Sequence, residues 1–391
     1  MTSIREAIRR IVSPPSPIPA GIYHFQAPPD APLPYRLHLR VERDGQGVLI
    51  VNASTVLHLN TTAAEYAYHI VQQTPKEQAA RMIASRYRIN RMHARHDYED
   101  FIERIDELIH TPDLDPVAYL DFDRHAPYSQ DISAPYRLDC ALTYTLPMGS
   151  NPENAPTKRV DRELSTSEWK TILEKSWNAG IPHIIFTGGE PTLREDLPDL
   201  IRQAESLGQV SGLLTDGLRF ADPAYLDTIL QTGLDHIMID FQPDNLQAEA
   251  ALQNVLSSDI ALVAHLTITH GNAARASMCL ERFAQMGLEA ISLSAISSDL
   301  NETLTALHNH ATDLGLSLVW DLAVPYSAFN PIAVEVVEDQ ISEGAGKAWL
   351  YVEPDGDVLP SQGINRVLGN LLTDPWEEVW SRAKSLSKKT G

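Results

Sequence analysis

From residue 36 the chain alternates apolar and polar positions. YRLHLRVERDGQGVLIVNASTVLHLN reads as short strands on both sides of Asp44-Gly45, a small antiparallel meander. The period then changes to that of helices. Thr62-Ala-Ala-Glu65 has the form of a capping box opening AAEYAYHIV. Thr74-Pro75-Lys76-Glu77 has the same form, with proline at the first helical position. Tyr98, Phe101, Ile102, Ile105, Leu108 and Ile109 then share one helical face. A sheet and three helices place a small α+β domain at residues 36–112. Ahead of it, residues 1–35 contain PPSPIPAG and APPDAPLP, a proline density that suits an extended tether. Behind it, residues 113–134 are irregular and read as a linker.

The next 200 residues or so carry a weak repeat, in which a helical pattern ends in glycine and an apolar strand follows at once. The strands are in AGIPHIIF, LGQVSGLL, TGLDHIMI, MGLEAISL and LGLSLVW, with Gly180, Gly208, Gly233, Gly287 and Gly315 as helix-closing residues. Three of the four gaps between these glycines are 25–28 residues, one βα unit each. The fourth is 54 residues, two units with IALVAHLTI between them. Ser165-Thr-Ser-Glu168 and Asp222-Pro223 mark helix starts. Alternation of this kind predicts an α/β fold on a parallel sheet, either curled into a barrel or doubly wound. Tyr66, Tyr68, Trp169 and Trp177 sit at helical spacing and read as core. The tail KAWLYVEPDGDVLPSQGINRVLGNLLTDPWEEVW predicts a hairpin-like segment and a short helix.

Charge and cysteine count narrow the function. A formal charge of −21 in 391 residues repels phosphate backbones, so no nucleic-acid partner is expected. No apolar run reaches the length of a membrane span and the N-terminus has no signal-peptide core, so a cytoplasmic protein without a membrane partner is expected. Two cysteines, Cys140 and Cys279, exclude a disulfide framework and any site that takes three or four thiolates from this chain.

The stretch FTGGEPTLRED, Phe186–Asp196, follows an apolar strand. In parallel βα architectures ligands sit at the carboxyl ends of strands. Glycines there let backbone approach a ligand, and Glu190 is placed either to accept from an amine or to cap a neighbouring amide. The spacing fits neither a P-loop nor a dinucleotide fingerprint. A tight turn without a ligand fits the composition equally well.

TGGEPTLRED resembles the GGEP motif of radical S-adenosylmethionine (SAM) enzymes. LDCALTY resembles that family's first barrel strand, and LLTDG (213–217) its third-strand TNG with Asp216 in place of asparagine. ISLSAI (291–296) resembles its sixth strand, and YVEPDGDVLPSQG…LGNLL…PWEEVW a SPASM-type extension. Residues 36–112 resemble the PQQ-synthesis-protein-D-like domain that binds leader peptides. The resemblance implies a partial (β/α)6 TIM-like barrel at 135–335, a winged-helix-like N-terminal domain and a SPASM-like extension at 336–391. It also implies that Thr187, Gly188, Gly189, Glu190 and Pro191 hold the cofactor, with the loop backbone on the methionyl amino group of SAM.

The family's CxxxCxxC falls on Leu146, Ser150 and Glu153, and Ser361 stands where the extension would have a cysteine. Leucine cannot ligate iron, and hydroxyl and carboxylate oxygens suit a cluster poorly. Cys140 lies six residues too early and reads as a packed strand residue, and Cys279 falls in a helix pattern. The resulting expectation is that no [4Fe–4S] cluster and no other cofactor is bound, with SAM weak at best.

Other constellations are less specific. His93 and His96, with Asp97, are only part of a metal set and read as a solvated face, so no metal site is expected. His265 and His270 flank LTIT, Asp240 and Gln242 end another strand, and Asp321 and Tyr326 follow a later one; all are pocket-lining positions in a barrel. None is spaced for acid–base work, so no catalytic residue is assigned. The sequence therefore reads as a catalytically degenerate radical-SAM-like scaffold. Its partners would be a leader or precursor peptide and an intact radical SAM enzyme. Peptide would add to the edge strand Thr55, Leu57, Leu59 beside a helix carrying Phe101 and Ile105. The alternatives are a cluster-free enzyme or SAM/small-ligand-binding protein that uses the GGEP pocket, and a radical enzyme that borrows ligands from a partner chain.

Overall fold

The computed structural model describes residues 18–28, 30–111, 131–332 and 342–387, and the chain divides into two units, Met1–Ala126 and Pro127–Gly391. Most of the linker expected at 113–134 and the boundary expected at 335/336 lie outside the described residues.

In the first unit β1 (Gly21–Gln26), β2 (Arg36–Val41), β3 (Gly47–Val51) and β4 (Thr55–Leu59) form an antiparallel sheet in chain order. Part of the proline-rich segment is therefore not a tether. Gly21–Gln26 is a proline-free window between prolines, and it pairs along the whole of β2, from Gly21↔Val41 to Gln26↔Arg36. Proline is tolerated around such an edge strand because the lost donors fall outside the ladder. One face of the sheet buries Leu37, Leu39, Val41, Leu49, Val51, Leu57 and Leu59. The helices α1 (Thr61–Val71), α2 (Lys76–Tyr87) and α3 (Arg91–His110) complete this core, α3 through Tyr98, Phe101, Ile105, Leu108 and Ile109.

Neither capping box expected in this unit forms. Asn60 caps α1, its side chain accepting from the amides of Thr62 and Ala63. Glu65 is buried and bound to Arg86 at 2.9 Å. Pro75 precedes α2 without a side-chain cap, and Glu77 pairs with Arg91 and Arg95.

The second unit alternates strand and helix: β5 (Arg137–Thr143), α4 (Thr166–Ala179), β6 (His183–Gly188), α5 (Leu197–Leu207), β7 (Val210–Thr215), α6 (Pro223–Leu230), β8 (His236–Asp240), α7 (Leu246–Leu256), β9 (Ala261–Ile268), α8 (Ala276–Met286), β10 (Ala290–Ala295), α9 (Asn301–Asp313) and β11 (Ser317–Leu318). The tail supplies β12 (Trp349–Val352), β13 (Asp357–Leu359), β14 (Gly369–Asn370) and α10 (Trp376–Ser387). The sheet order is β11-β10-β9-β8-β7-β6-β5-β12-β13-β14, and β5 to β10 are parallel. This decides between the two expected architectures. A doubly wound sheet reverses its order at a switch point, whereas β5–β10 follow one another without reversal. The five repeat glycines all have left-handed φ, from 77° at Gly315 to 91° at Gly208. The capping box at Ser165 and the Asp222 cap are present.

Ala141, Ile185, Leu214 and Met238, from four successive strands, meet Tyr351 and Leu359 of the tail in one buried cluster. One face of the sheet thus closes around a single interior, which gives the open, barrel-like curve that positions the site. Among the described residues no helix is long and apolar enough to cross a membrane.

Candidate functional site

The glycine loop leaves β6 at the strand's carboxyl end. Its geometry follows from how closely β5 passes. The Gly189 amide donates to Thr143 O at 2.7 Å and the Glu190 amide to Thr145 O at 2.8 Å. A Cβ on Gly188 would lie 2.1 Å from Thr143 O, and one on Gly189 2.4 Å from Thr145 O. Gly188 also has φ +133°, a conformation side chains rarely adopt. Backbone packing alone therefore requires both glycines.

Glu190 takes the capping role. Its side chain is buried and accepts from the Thr192 amide (2.9 Å), the Thr192 hydroxyl, the Thr215 hydroxyl (2.7 Å) and the Asp216 amide (2.8 Å). It thereby ties the loop to the end of β7. Pro191 and Thr192 are buried behind it.

Two further carboxyls share this interior. Burial, and next the charge of Glu190, raise Asp216 to about 8. Asp216 is therefore pushed toward its protonated form, in which it offers an O–H where asparagine would offer an N–H. Burial raises Asp240 to about 7, against the hydrogen bond from Ser327.

Asp216→Asn is expected to gain stability over wild type as pH rises. The folded-state value lies above the ordinary 3.8, so the native state keeps a proton that the unfolded chain releases. Wild-type stability from this group is full below about pH 4 and is lost as pH climbs toward 8. At ~1.4 kcal/mol per pH unit, the variant's advantage in urea unfolding should grow by about 2–3 kcal/mol between roughly pH 5 and pH 7. A difference that does not vary with pH would contradict the assignment.

A segment after β11 occupies the interior beside the loop. The Tyr326 amide donates to Gly188 O at 2.8 Å, and the Ser327 hydroxyl to Asp240 Oδ2 at 2.6 Å. Gln362 holds Val324 by both backbone groups, accepting from its amide at 3.0 Å and donating to its carbonyl at 2.7 Å. The Tyr326 ring is buried edge-on to Tyr144 at 5.6 Å, and the Tyr144 hydroxyl donates to Glu353, which Arg159 also binds. Against the same segment lies a cavity of about 390 Å³, lined also by Thr267, Ser294, Asn301, Trp349 and Ser361. Asp321 and Tyr326 of this segment line the cavity, as expected from sequence, whereas Tyr144, Ser327 and Gln362 carry no motif and act through tertiary placement.

The remaining candidates fall in several places. His265 is buried, with Ser292, Thr267 and Ser294 around its ring, and burial lowers it to about 4, so it is neutral. His270 is exposed beside Asp299, and Gln242 accepts from Asn245. The Asp321 carbonyl accepts from Arg137 at 2.6 Å. His93 and His96 are exposed on α3, with His96 beside Asp100, and among the described residues no group of three His, Cys, Asp or Glu could hold a metal. Leu146 packs against the interior cluster, Ser150 is half-buried and Glu153 exposed. These three side chains are not a thiolate set. Cys140 is buried in β5 and Cys279 half-buried on α8. In the first unit Thr55 is half-buried at the start of β4, while Leu57, Leu59, Phe101 and Ile105 are core residues.

Beside the glycine loop, Thr187 Oγ1 and Asp240 Oδ1 are buried without a hydrogen-bond partner among the described residues. Unpaired buried polar groups of this kind are costly, and they fit a ligand that brings hydrogen-bonding groups of its own.

Residues 140–245 match the Radical SAM superfamily. The match runs from within β5 to just past β8 and so contains the glycine loop. The chain is homologous to PqqA peptide cyclases. It is 26% identical over 289 residues to that of Xanthomonas campestris pv. campestris, covering 64% of this chain and 74% of the relative. It is 25% identical over 299 residues to that of Methylobacterium nodulans, covering 66% and 76%. Among solved structures, Streptococcus suis SuiB bound to S-adenosylmethionine aligns with a TM-score of 0.58 at 13% identity over 90% of this chain and 89% of that one. SuiB bound to its precursor peptide SuiA aligns with a TM-score of 0.57 at 14% identity, over 89% and 88%. These comparisons correct the expectation of a chain with no cofactor, no [4Fe–4S] cluster and at best weak SAM binding. The matched superfamily is the radical SAM one, and a solved neighbour in the same fold carries SAM.

Proposed function

We propose that this protein takes part in the maturation of a ribosomally made peptide, binding the precursor through its N-terminal unit. On this reading it is a catalytically degenerate scaffold or partner to an intact radical SAM enzyme. The N-terminal unit corresponds to a winged-helix-like, PQQ-synthesis-protein-D-like domain, and the tail to a SPASM-like extension. The homology to PqqA peptide cyclases and the likeness to SuiB with its precursor peptide support the peptide assignment. The observation that carries it is the position of β4 at the end of its sheet, where among the described residues it pairs with β3 alone. An extended peptide adds to such an edge through backbone hydrogen bonds. Thr55 stands half-buried at the start of the strand, and Leu57, Leu59, Phe101 and Ile105 are buried in the core of the same unit. Leu146, Ser150 and Glu153, where thiolates would stand, support the degenerate reading.

The chain's excess of acid favours a basic peptide. Anisotropy of a labelled basic candidate leader peptide should show saturable binding that weakens as salt rises. Absence of saturable binding at low salt would overturn the proposal. A second reading, a SAM-binding protein that uses Thr187–Pro191, is favoured by the unpaired Thr187 and Asp240 oxygens.

A further inference from the structure

We infer that residues 321–330 form a displaceable strap whose own donors occupy the acceptors beside the glycine loop, so that a ligand of that loop binds only when the strap lets go. This inference rests on the second reading above, that the loop binds a ligand.

Three observations carry it. First, consecutive strap residues reach two different strands: the Tyr326 amide takes Gly188 O and the Ser327 hydroxyl takes Asp240 Oδ2. Both acceptors lie beside the glycine loop, and a donor brought by a ligand competes with the strap for them. Second, the strap underfills the place it holds. Asp240 Oδ1, Thr187 Oγ1 and the Tyr326 hydroxyl are all buried without partners among the described residues. A segment that belonged permanently to the core would be expected to satisfy them. Third, the strap's polar contacts are replaceable bonds and it borders open space, though Ala323, Val324 and Tyr326 also pack in the interior cluster. It carries no regular secondary structure from 321 to 330. Its middle is clasped by one side chain, Gln362, and by Asn330 folding back onto Val324 O at 2.7 Å. The 390 Å³ cavity lies along it, lined by Leu322, Val324 and Tyr326 of the strap. Tyr326 thus touches the cavity on one side and the glycine loop on the other, and its withdrawal joins the two.

A ligand that needs an open state pays for the rarity of that state in apparent affinity. Weakening the clasp should therefore tighten binding, the opposite of what loss of a binding residue does. SAM is the probe, with the full chain and two variants, Gln362→Ala and Ser327→Ala. Each variant removes bonds of the closed strap and leaves the loop untouched. Calorimetry should show SAM bound about fivefold more tightly by each variant, the effect of roughly one hydrogen bond. Hydrogen exchange on the wild-type chain should show the Tyr326–Ser327 segment losing protection when SAM is added, while Ile237–Asp240 of β8 does not. Equal affinity in all three proteins, failure of the two variants to bind SAM, or SAM binding with strap protection unchanged would each overturn the inference. Peptide binding is read on the other unit and is scored separately, so neither result stands in for the other.

Discussion

Glu190→Ala is expected to lower the unfolding free energy by about 3–5 kcal/mol, enough to threaten folding of a domain of ordinary stability. The carboxylate is 2% exposed and accepts four hydrogen bonds, from Thr192 twice, Thr215 and Asp216. Alanine leaves all four donors without their acceptor in a site that water does not reach, and it also leaves a void. Relief of the repulsion that helps raise Asp216 offsets only part of this. Glu190→Gln keeps the volume but turns an amide toward one set of donors, so an intermediate loss is expected. Urea unfolding of the three proteins checks the order. A loss below about 1 kcal/mol for alanine would mean that Glu190 does not hold the loop.

Gly188→Ala is expected to cost about 2–5 kcal/mol, from backbone strain and overpacking together. A methyl group would sit 2.1 Å from Thr143 O, a backbone atom of the neighbouring strand that cannot rotate away. At φ +133° the alanine backbone is strained as well. Relief requires β5 and β6 to part at their carboxyl ends, where Ala141↔Thr187 and Thr143↔Gly188 pair across a register shift. The urea midpoint should fall without a change in slope. An unchanged midpoint would show that the strands separate at no cost.

Much of the second unit could be read from sequence because its signals are local. A glycine that closes a helix and an apolar strand that follows it are settled within a few residues, and all five predicted glycines take the left-handed conformation. The sequence left a barrel and a doubly wound sheet open because strand order is a long-range property, decided by which apolar faces meet. The missed features have the same origin. The Thr62–Glu65 box was locally plausible, but Asn60 lies two residues earlier and caps α1, while Arg86 from the next helix takes Glu65. β1 was hidden because the prolines around it outweighed the six residues between them. At the site, the motif located the loop but could not show that β5, and not a ligand, demands its glycines. Nor could it show that Tyr326 and Ser327 arrive beside it from well over a hundred residues away.

The central claim is that β4 receives a peptide, and hydrogen exchange across Thr55–Leu59 tests it most directly. The edge carries backbone groups that no second strand pairs in the described structure, and an added strand must protect them. The measurement compares the full chain alone with the full chain saturated with a basic candidate leader peptide. Slower exchange in Thr55–Leu59, with Leu213–Thr215 of β7 unchanged, is the predicted result. Bound peptide that leaves Thr55–Leu59 exchanging at its free rate would contradict the account.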